Sequence, residues 1–459
     1  MRRRPPFIVR EEAFVKRVFG RILLCVSALA AVVGCGESLK PADSGVGSAT
    51  VLAYMPQDQG EYSLQKFELI GISDIRKVAG RFVNFFISPK ISKLDGKEKM
   101  VGMSPRAQFI RNAAGEYIAS DNLTIEMFSI YAHMQKLAAL DEELGAAGVN
   151  KWPRDIGVAV RDDAGMVNNA QYYGPADVMY FVRYTKSELP IQVNAGVLAH
   201  EHFHSLFYKL VPGPKAALQS AHNRVTDPTD TLPRPTMLDG RTLDSGVKFK
   251  VELAPAERER DMETDREMRE VYYGALNEGF ADFWGWMYTG DPDFIALSLP
   301  DQKEVRTLNN SGRGEDTLVA LDNVYGQLNN VKENLKSHEE LSEEQVKNYY
   351  AQYRLGYKYA IGSRYSRLLK QLTGLAKTER KMTEMESRKF IAKSLLKILP
   401  LIKLADIGPE FVVKSLAEAI PDLKESECDY LRSSVQKTEY AAIWSCEKAG
   451  DLWLLKKAP

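Results

Sequence analysis

The chain has 459 residues, of which 44% are hydrophobic and 27% are charged. This composition allows sizeable apolar cores, so it argues against disorder throughout the chain and favours two folded domains. Lys and Arg balance Asp and Glu at 61 each. Without residues 1–34 the remaining 54 basic and 59 acidic residues give a net charge of −5, and no basic field for nucleic acid remains.

The first 36 residues differ in pattern from the rest of the chain. Basic residues precede the apolar run 22–33, which is too short for a comfortable membrane span and indicates a secretory signal. The run ends at Val32-Val33-Gly34-Cys35, which resembles a lipobox. We therefore expect residues 1–34 to be removed, Cys35 to be acylated and residues 35–50 to form a tether; an uncleaved membrane anchor is the alternative. Gly36 after the cysteine favours the outer membrane, by resemblance to Gram-negative lipoproteins.

Two regions follow with different periodicities. Residues 51–119 alternate short apolar runs with Gly, Pro and Asp, which predicts a β-rich N-terminal region. From about residue 120 to 147 apolar residues recur at intervals of three, which predicts a helix. His133 falls off this apolar stripe, so we expect it at the surface or at a boundary. Strands are expected around 156–160 and 178–182, before a further helix.

The next helix contains the pentapeptide His200-Glu201-His202-Phe203-His204 inside the apolar run 195–208. One helical turn brings His200 and His204 onto the same face, where two imidazoles can share a metal ion while Glu201 acts on a water molecule as a base. His202 points to the opposite side, which favours a core histidine. The pattern predicts a zinc site with one Zn²⁺ per chain.

A second acidic pattern, Asn277-Glu278-Gly279-Phe280-Ala281-Asp282, lies in a predicted helical stretch, 255–287. Glu278 can complete a site of two histidines, one glutamate and one open position. Asp282, one turn further, could accept the outer ring N–H of His200 and fix its tautomer. A bare carboxylate in this apolar half-helix would be costly without a metal or another partner, which favours the ligand role for Glu278.

These two motifs resemble those of the gluzincin zinc metallopeptidases, the thermolysin-like and fungalysin-like families. Asn168-Asn169-Ala170 is similar to the Asn-Ala edge-strand segment of that family, so the resemblance implies that Asn169 and Ala170 pair with a peptide or protein substrate. It also implies an α+β fold in which a catalytic zinc domain, 120–290, precedes a helical C-terminal domain, 291–425, with the active-site cleft between them. The resemblance covers roughly residues 105–425.

The chain departs from that family in two respects. Glu278 follows His204 by 74 positions, which predicts an insertion at 210–270; loop closure costs rise slowly enough with length to allow it. The only histidine after the zinc motifs is His338, in a charged segment. The segment 357–365 resembles the fungalysin helix that carries the transition-state histidine, with Tyr359 at the histidine position. Tyr359 and Arg364 are therefore the candidate donors to the oxyanion.

The C-terminal part is predicted to be helical. Capping boxes begin at Ser342 and Thr383, each before an amphipathic run, and Pro400 is expected to close the second run. Residues 426–459 form a C-terminal tail. It contains Cys428 and Cys446, an isolated pair that would form a disulfide in an oxidising compartment and contribute about 3 kcal/mol.

The sequence thus favours a zinc metalloendopeptidase anchored to the bacterial envelope. The main alternative is a zinc-binding or metal-free envelope lipoprotein that has kept the scaffold and lost catalysis, which the missing histidine supports. A zinc hydrolase that acts on peptidoglycan peptides is a further alternative. All three have an acylated Cys35 as the expected contact with the membrane, and none involves nucleic acid.

Overall fold

The computed structural model describes residues 47–57, 60–161, 167–212, 261–309, 317–435, 444–450 and 452–457. These residues belong to one compact unit. The mixed α+β fold, with a β-rich N-terminal part and a helical C-terminal part, is confirmed. The expected signal peptide, Cys35 and most of the predicted insertion lie outside the described residues. Within these ranges, every helix is too short or too polar to cross a bilayer.

Six of the eight N-terminal strands belong to two main sheets. The eight strands are β1 (Ser48–Pro56), β2 (Tyr62–Ile70), β3 (Ile72–Asp74), β4 (Ala79–Gly80), β5 (Val83–Leu94), β6 (Lys97–Met103), β7 (Phe109–Arg111) and β8 (Tyr117–Ala119). The short strands β3 and β4 pair only with each other. A four-stranded sheet has the order β2-β1-β8-β7. In β1, Val51, Ala53 and Met55 are buried while their neighbours are partly exposed, the alternation expected of a strand with one covered face.

The second sheet has five strands and joins early and later parts of the chain. Its order is β10-β11-β9-β5-β6, where β9 is Arg154–Val160, β10 is Ala170–Tyr173 and β11 is Val178–Val182. β9 lies parallel to both β5 and β11, whereas β10 is antiparallel to β11. Most residues of β9 and β11 are buried, as expected for parallel strands covered on both faces. The two strands predicted at 156–160 and 178–182 are confirmed, and β10 is an edge strand.

Nine α-helices are described outside the strands. They are α1 (Asn122–Leu144), α2 (Ala195–Leu210), α3 (Met262–Thr289), α4 (Lys303–Arg306), α5 (Leu321–Ser337), α6 (Glu343–Arg380), α7 (Glu384–Ile398), α8 (Pro409–Ala419) and α9 (Glu425–Ser433). Both predicted capping boxes are confirmed, at Ser342 before α6 and at Thr383 before α7. The hairpin of β12 (Trp444–Ala449) and β13 (Leu452–Lys457) follows α9, and Cys428 and Cys446 form a disulfide between α9 and this hairpin.

The expectation for His133 was wrong, because its side chain is fully buried. The apolar stripe of α1 marks one buried face, but the helix is buried on other faces as well. Both the four-stranded sheet and the end of α3 contact it. His133 Nε2 lies 3.0 Å from the carbonyl oxygen of Tyr54, and Nδ1 lies 2.9 Å from the hydroxyl of Tyr288. His133 is therefore a core histidine whose two ring nitrogens are both satisfied.

We expect His133 to make the protein less stable in acid. Burial lowers the pKa of this imidazole from 6.5 to about 3, so between these values only the unfolded chain takes up the proton. The stability is present above pH 6.5 and is lost as the pH falls, by about 2 kcal/mol between pH 7 and pH 5. Urea unfolding at the two pH values should show that His133→Gln removes this part of the pH dependence. His338→Gln, at a partly exposed histidine, is the control, and equal pH dependence in both variants would contradict the expectation.

A single asparagine starts helix α2. Asn194 Oδ1 accepts from the backbone N–H groups of Gly196 and Val197 at 3.1 and 3.2 Å, and its Nδ2 donates to Phe294 O and Ser298 Oγ. Tyr62, from β2, accepts from the N–H of Ala195 at 2.9 Å through its hydroxyl oxygen. The N–H groups of the first turn thus find partners in the Asn194 side chain and in Tyr62, and the Asn194 amide ties this cap to the segment after α3, which fixes the start of α2.

Helices α3 and α6 cross at two glycines. A Cβ on Gly279 would collide with the carbonyl oxygen of Gly362, and a Cβ on Gly362 would lie 2.7 Å from the carbonyl oxygen of Ala275. The obstacle in each case is backbone, which cannot rotate away. The two helices can therefore approach this closely only because neither has a side chain at the crossing.

We expect Gly279→Ala to destabilise the protein by about 3 kcal/mol or more, at the upper end of overpacking effects, because the two backbones must separate. The midpoint of urea unfolding measures the change. Gly374→Ala is the matched control: Gly374 is an exposed glycine of α6 with open space where its Cβ would be, so the higher helix propensity of alanine should stabilise the protein by up to about 1 kcal/mol. Similar midpoints for Gly279→Ala and the wild type would show that the crossing is not tight.

Candidate metal centre

Helix α2 carries three buried polar side chains close together. His200, Glu201 and His204 are 5%, 6% and 5% exposed. The two histidines are one turn apart and project to the same side, with their Nε2 atoms 2.9 Å apart. One nitrogen from each histidine and one oxygen of Glu201 all lie within 4.8 Å of one another. The group could therefore hold a metal ion.

The outer nitrogens of both rings already face oxygen acceptors. His200 Nδ1 lies 2.9 Å from Asp282 Oδ1, and His204 Nδ1 lies 2.9 Å from Asn277 Oδ1. A neutral imidazole that carries its proton on Nδ1 presents a lone pair at Nε2. Two such lone pairs at 2.9 Å repel each other unless a proton or a metal ion lies between them. Burial lowers the pKa of His200, but hydrogen bonds to Asp282 and Glu278 raise it to about 9, so a proton on His200 can hold the pair together when no metal is bound. The histidine pair also fits a metal ion, whose bonds to nitrogen of about 2.0 Å keep any two ligand atoms within about 4 Å.

Helix α3 brings two carboxylates to the same place. Glu278 Oε2 lies 3.5 Å from His200 Nε2 and 3.8 Å from His204 Nε2. Asp282 follows one turn later, so it lies on the same face of α3, and both carboxylates are almost completely buried. Burial alone would raise the pKa of Glu278, but Lys358 and the two imidazoles hold it well below its usual range. Glu278 is therefore an ionised oxygen donor directed at the histidine pair.

Glu201 differs from Glu278 in its surroundings. Its Oε2 is buried without a hydrogen-bond partner. Burial raises the pKa of Glu201 to about 7, with the charge of His200 opposing the rise and that of Glu278 adding to it, and a backbone hydrogen bond from Tyr172 lowers it slightly. A carboxyl group with this pKa can take up or release a proton near neutral pH, as a general base requires.

Lys358 and Arg306, which the sequence analysis did not assign to the site, bring two positive charges to the cluster. Lys358, from α6, donates to Glu278 Oε1 at 2.8 Å and is 3% exposed. Arg306, at the end of α4, donates through Nη2 to Asp282 Oδ1 at 2.5 Å, and the same nitrogen lies 3.5 Å from His200 Nε2. The two carboxylates of α3, Glu278 and Asp282, are thus each paired with a cation as well as with an imidazole.

The two candidate oxyanion donors, Tyr359 and Arg364, lie in different parts of the structure. Tyr359 lies at the cluster: the guanidinium carbon of Arg306 is 4.8 Å from the centre of its ring, and Lys358 Nζ is 4.7 Å from it. Burial and the charge of Glu278 raise the pKa of the Tyr359 phenol, which keeps its proton available for donation. Arg364 is not brought to the cluster, because its guanidinium donates to the carbonyl oxygen of Thr317 at 2.7 Å.

Asn169 and Ala170 lie where β10 begins. Ala170 pairs with Phe181 of β11, and the carbonyl oxygen of Asn169 accepts from Val182 N at 2.9 Å. Because β10 is the last strand of its sheet, its other edge has no strand partner within the ranges that the structure describes. Tyr172 of the same strand makes the backbone hydrogen bond to Glu201, so this edge strand runs beside the candidate base.

Two other histidines named in the sequence analysis lie away from the cluster. His202 is fully buried on the opposite side of α2, with Nε2 2.9 Å from Asp141 Oδ1; its prediction as a core histidine is confirmed. His338 ends α5 and bonds to Glu340 at 2.8 Å. Neither supplies a nitrogen to the pair formed by His200 and His204.

Sequence reasoning missed Asn277, Lys358 and Arg306 as parts of the cluster. Asn277 precedes Glu278 in the motif, so helical geometry could have placed it near His204. Lys358 precedes Tyr359, but a lysine beside a tyrosine carries no signal of its own. Arg306 lies in a one-turn helix with no recognisable motif, and its position depends wholly on tertiary structure.

Comparison with known proteins does not assign the chain to a family. No protein-family model matches it, and no curated protein matches it significantly.

Proposed function

We propose that this protein is a zinc-dependent metalloendopeptidase that hydrolyses peptide bonds in a thermolysin-like active site. The observation that carries the proposal is the pair of Nε2 atoms on His200 and His204, which face each other across 2.9 Å while both Nδ1 atoms face acceptors. A metal ion would take the place of the proton that otherwise holds these two nitrogens together, and the surrounding carboxylates are the donors that zinc accepts in hydrolytic sites.

His200, His204 and Glu278 are the proposed ligands, and Glu201 is the proposed base. Glu278 Oε2 is within 3.8 Å of both imidazole nitrogens, so it can complete the set of two histidines and one glutamate that leaves one coordination position open. Glu201 is better suited to proton transfer, because one of its oxygens has no partner and its carboxylate lies beside the edge strand.

The reaction requires a proton to move from water to the leaving amine. Bound at these side chains, a zinc ion would supply Lewis-acid chemistry that acidifies a water molecule and polarises the scissile carbonyl. The Glu201 carboxylate takes the proton from the attacking water and then gives it to the leaving nitrogen. Asp282 and Asn277 hold the two imidazoles in the tautomer that presents Nε2 to the metal.

Tyr359 and Arg306 are the proposed donors to the developing oxyanion. Arg306 Nη2 lies 3.5 Å from His200 Nε2, the guanidinium carbon of Arg306 lies 4.8 Å from the centre of the Tyr359 ring, and the phenol of Tyr359 keeps its proton. Donors that are fixed before the reaction stabilise new negative charge most effectively. Arg306 takes the role that the sequence suggested for Arg364.

The proposed substrate is an extended peptide paired with the open edge of β10. Backbone groups of Ala170 would form the hydrogen bonds, as in other cases of strand addition to a sheet edge, whereas the carbonyl oxygen of Asn169 already accepts from Val182 N within the sheet. The thermolysin-like resemblance of the sequence further implies that the peptide lies in a cleft between the zinc domain and the helical domain. We also propose that acylated Cys35 anchors the protein to the bacterial envelope at the outer membrane, with no nucleic-acid partner.

The direct test measures metal content and proteolysis on the same preparation. Purified protein should contain one zinc ion per chain and should cleave casein, and a zinc chelator should abolish this cleavage until zinc is restored. Zinc at one ion per chain without turnover of casein would support a binding module with a degenerate site. If peptidoglycan peptides are cleaved and casein is not, the hydrolase acts on the cell wall.

A further inference from the structure

The two oxygens of Glu278 have different partners. Oε2 is directed at the histidine pair, at 3.5 Å from His200 Nε2 and 3.8 Å from His204 Nε2. Oε1 instead accepts from the ammonium of Lys358 at 2.8 Å. The carboxylate is 3% exposed, so water does not compete for these positions. One carboxylate is thus divided between a metal-facing oxygen and an oxygen held by a cation.

The whole side chain of Lys358, from its stem to its ammonium group, is packed in this position. The residue is 3% exposed, and its stem passes over Gly274 of α3 so closely that a Cβ there would lie 2.7 Å from Lys358 Cδ. The ammonium then lies 4.7 Å from the centre of the Tyr359 ring. The absence of a side chain at Gly274 therefore gives the lysine stem its path from α6 to Glu278.

We propose that Lys358 is a positioning residue that restricts Glu278 to binding the metal through Oε2 alone, and so keeps a coordination position open. This inference rests on the proposed function. For Glu278 to bind through both oxygens, Oε1 would have to leave Lys358, and an ammonium buried without its partner is strongly disfavoured. A second metal–oxygen bond would also occupy the position that water or a carbonyl needs in a hydrolytic site.

Cobalt(II) in place of zinc reports the coordination number through its visible absorption, which is stronger for four ligands than for five. In Lys358→Met, whose side chain has similar length and no charge, Glu278 should bind through both oxygens. We expect the visible absorption of the cobalt form to fall by about half or more as a fifth ligand is added, and casein cleavage to fall about 10- to 100-fold. Lys377→Met, on the exposed end of the same helix, should match the wild type in both measurements.

An unchanged cobalt spectrum in folded Lys358→Met would overturn the inference and leave the proposed function intact. A wild-type protein that binds neither cobalt nor zinc would instead remove the proposed function itself. If Lys358→Met does not fold, a crystal structure of the zinc-loaded wild type decides. The inference requires one Glu278 oxygen at about 2.0–2.2 Å from zinc and the other still bonded to Lys358; two oxygens at bonding distance would refute it.

Discussion

Replacing Glu201 by glutamine should lower peptide hydrolysis by about 10²- to 10⁴-fold, the usual contribution of a general base, and should leave zinc at one ion per chain. The amide has nearly the same volume as the carboxylate in a side chain that is 6% exposed, so α2 has no reason to move. It cannot accept a proton from water, however. Steady-state cleavage of a fluorescent casein and metal analysis of the same sample measure the two quantities.

The control for this substitution is Glu340→Gln, which changes an exposed glutamate whose carboxylate lies 2.8 Å from His338. It should retain full activity and full zinc. If Glu201→Gln cleaves casein at the wild-type rate, then Glu201 is not the base. If Glu201→Gln loses its zinc, then Glu201 and not Glu278 is the carboxylate that binds the metal.

Replacing Glu278, the proposed ligand itself, by glutamine should weaken zinc binding strongly. Loss of a residue that only hydrogen-bonds to a metal ligand weakens metal binding by roughly 10- to 100-fold, and the effect at Glu278 should exceed this range. The substitution removes the ionised oxygen directed at both histidines and leaves Lys358 without a countercharge. Competition with a chromophoric chelator measures the affinity. Asp282→Asn is the graded comparison: Asp282 faces the outer nitrogen of His200 and not the metal position, so its loss should stay within that 10- to 100-fold range.

A change in stability must be separated from the change in metal affinity. Removing one member of a buried ion pair costs about 3–5 kcal/mol, whereas replacing both members by apolar residues is often neutral. The metal-free double variant Glu278→Leu with Lys358→Met should therefore unfold nearer to the wild-type urea midpoint than Glu278→Gln does, and should still fail to bind zinc. Zinc affinity at the wild-type level in either variant would exclude Glu278 as a ligand.

The sequence predicted those parts of the fold that have a local cause. Strand β11 has the predicted limits, and α6 and α7 begin at the capping residues Ser342 and Thr383. His133 was misplaced because an apolar stripe identifies one buried face of a helix, and α1 is covered on others by the sheet and by α3. That covering arises from residues distant in sequence, which periodicity within α1 cannot reveal.

The candidate metal centre shows the same difference between local causes and causes distant in sequence. His200, Glu201 and His204 lie within one turn of helix, and Glu278 and Asp282 within another, so helical spacing was enough to group each set. Lys358 and Arg306 reach these sets from α6 and α4, and Arg364 turns to Thr317 although it lies close to Tyr359 in sequence. Which cation meets which carboxylate depends on how the helices cross, and here the glycine pair Gly279 and Gly362 sets that distance.

The contacts of β2 and β5 show that the candidate metal centre depends on the N-terminal part of the chain. β5 is hydrogen-bonded directly to β9, in the sheet that ends at β10, and Tyr62 of β2 caps the helix that carries both metal-facing imidazoles. Truncation before residue 120 would strip a neighbour from the middle of that sheet and remove the hydroxyl that accepts from the N–H of Ala195 in the first turn of α2. Residues 47–119 thus support the candidate metal centre structurally, and a shortened protein that lacks them should not assemble it.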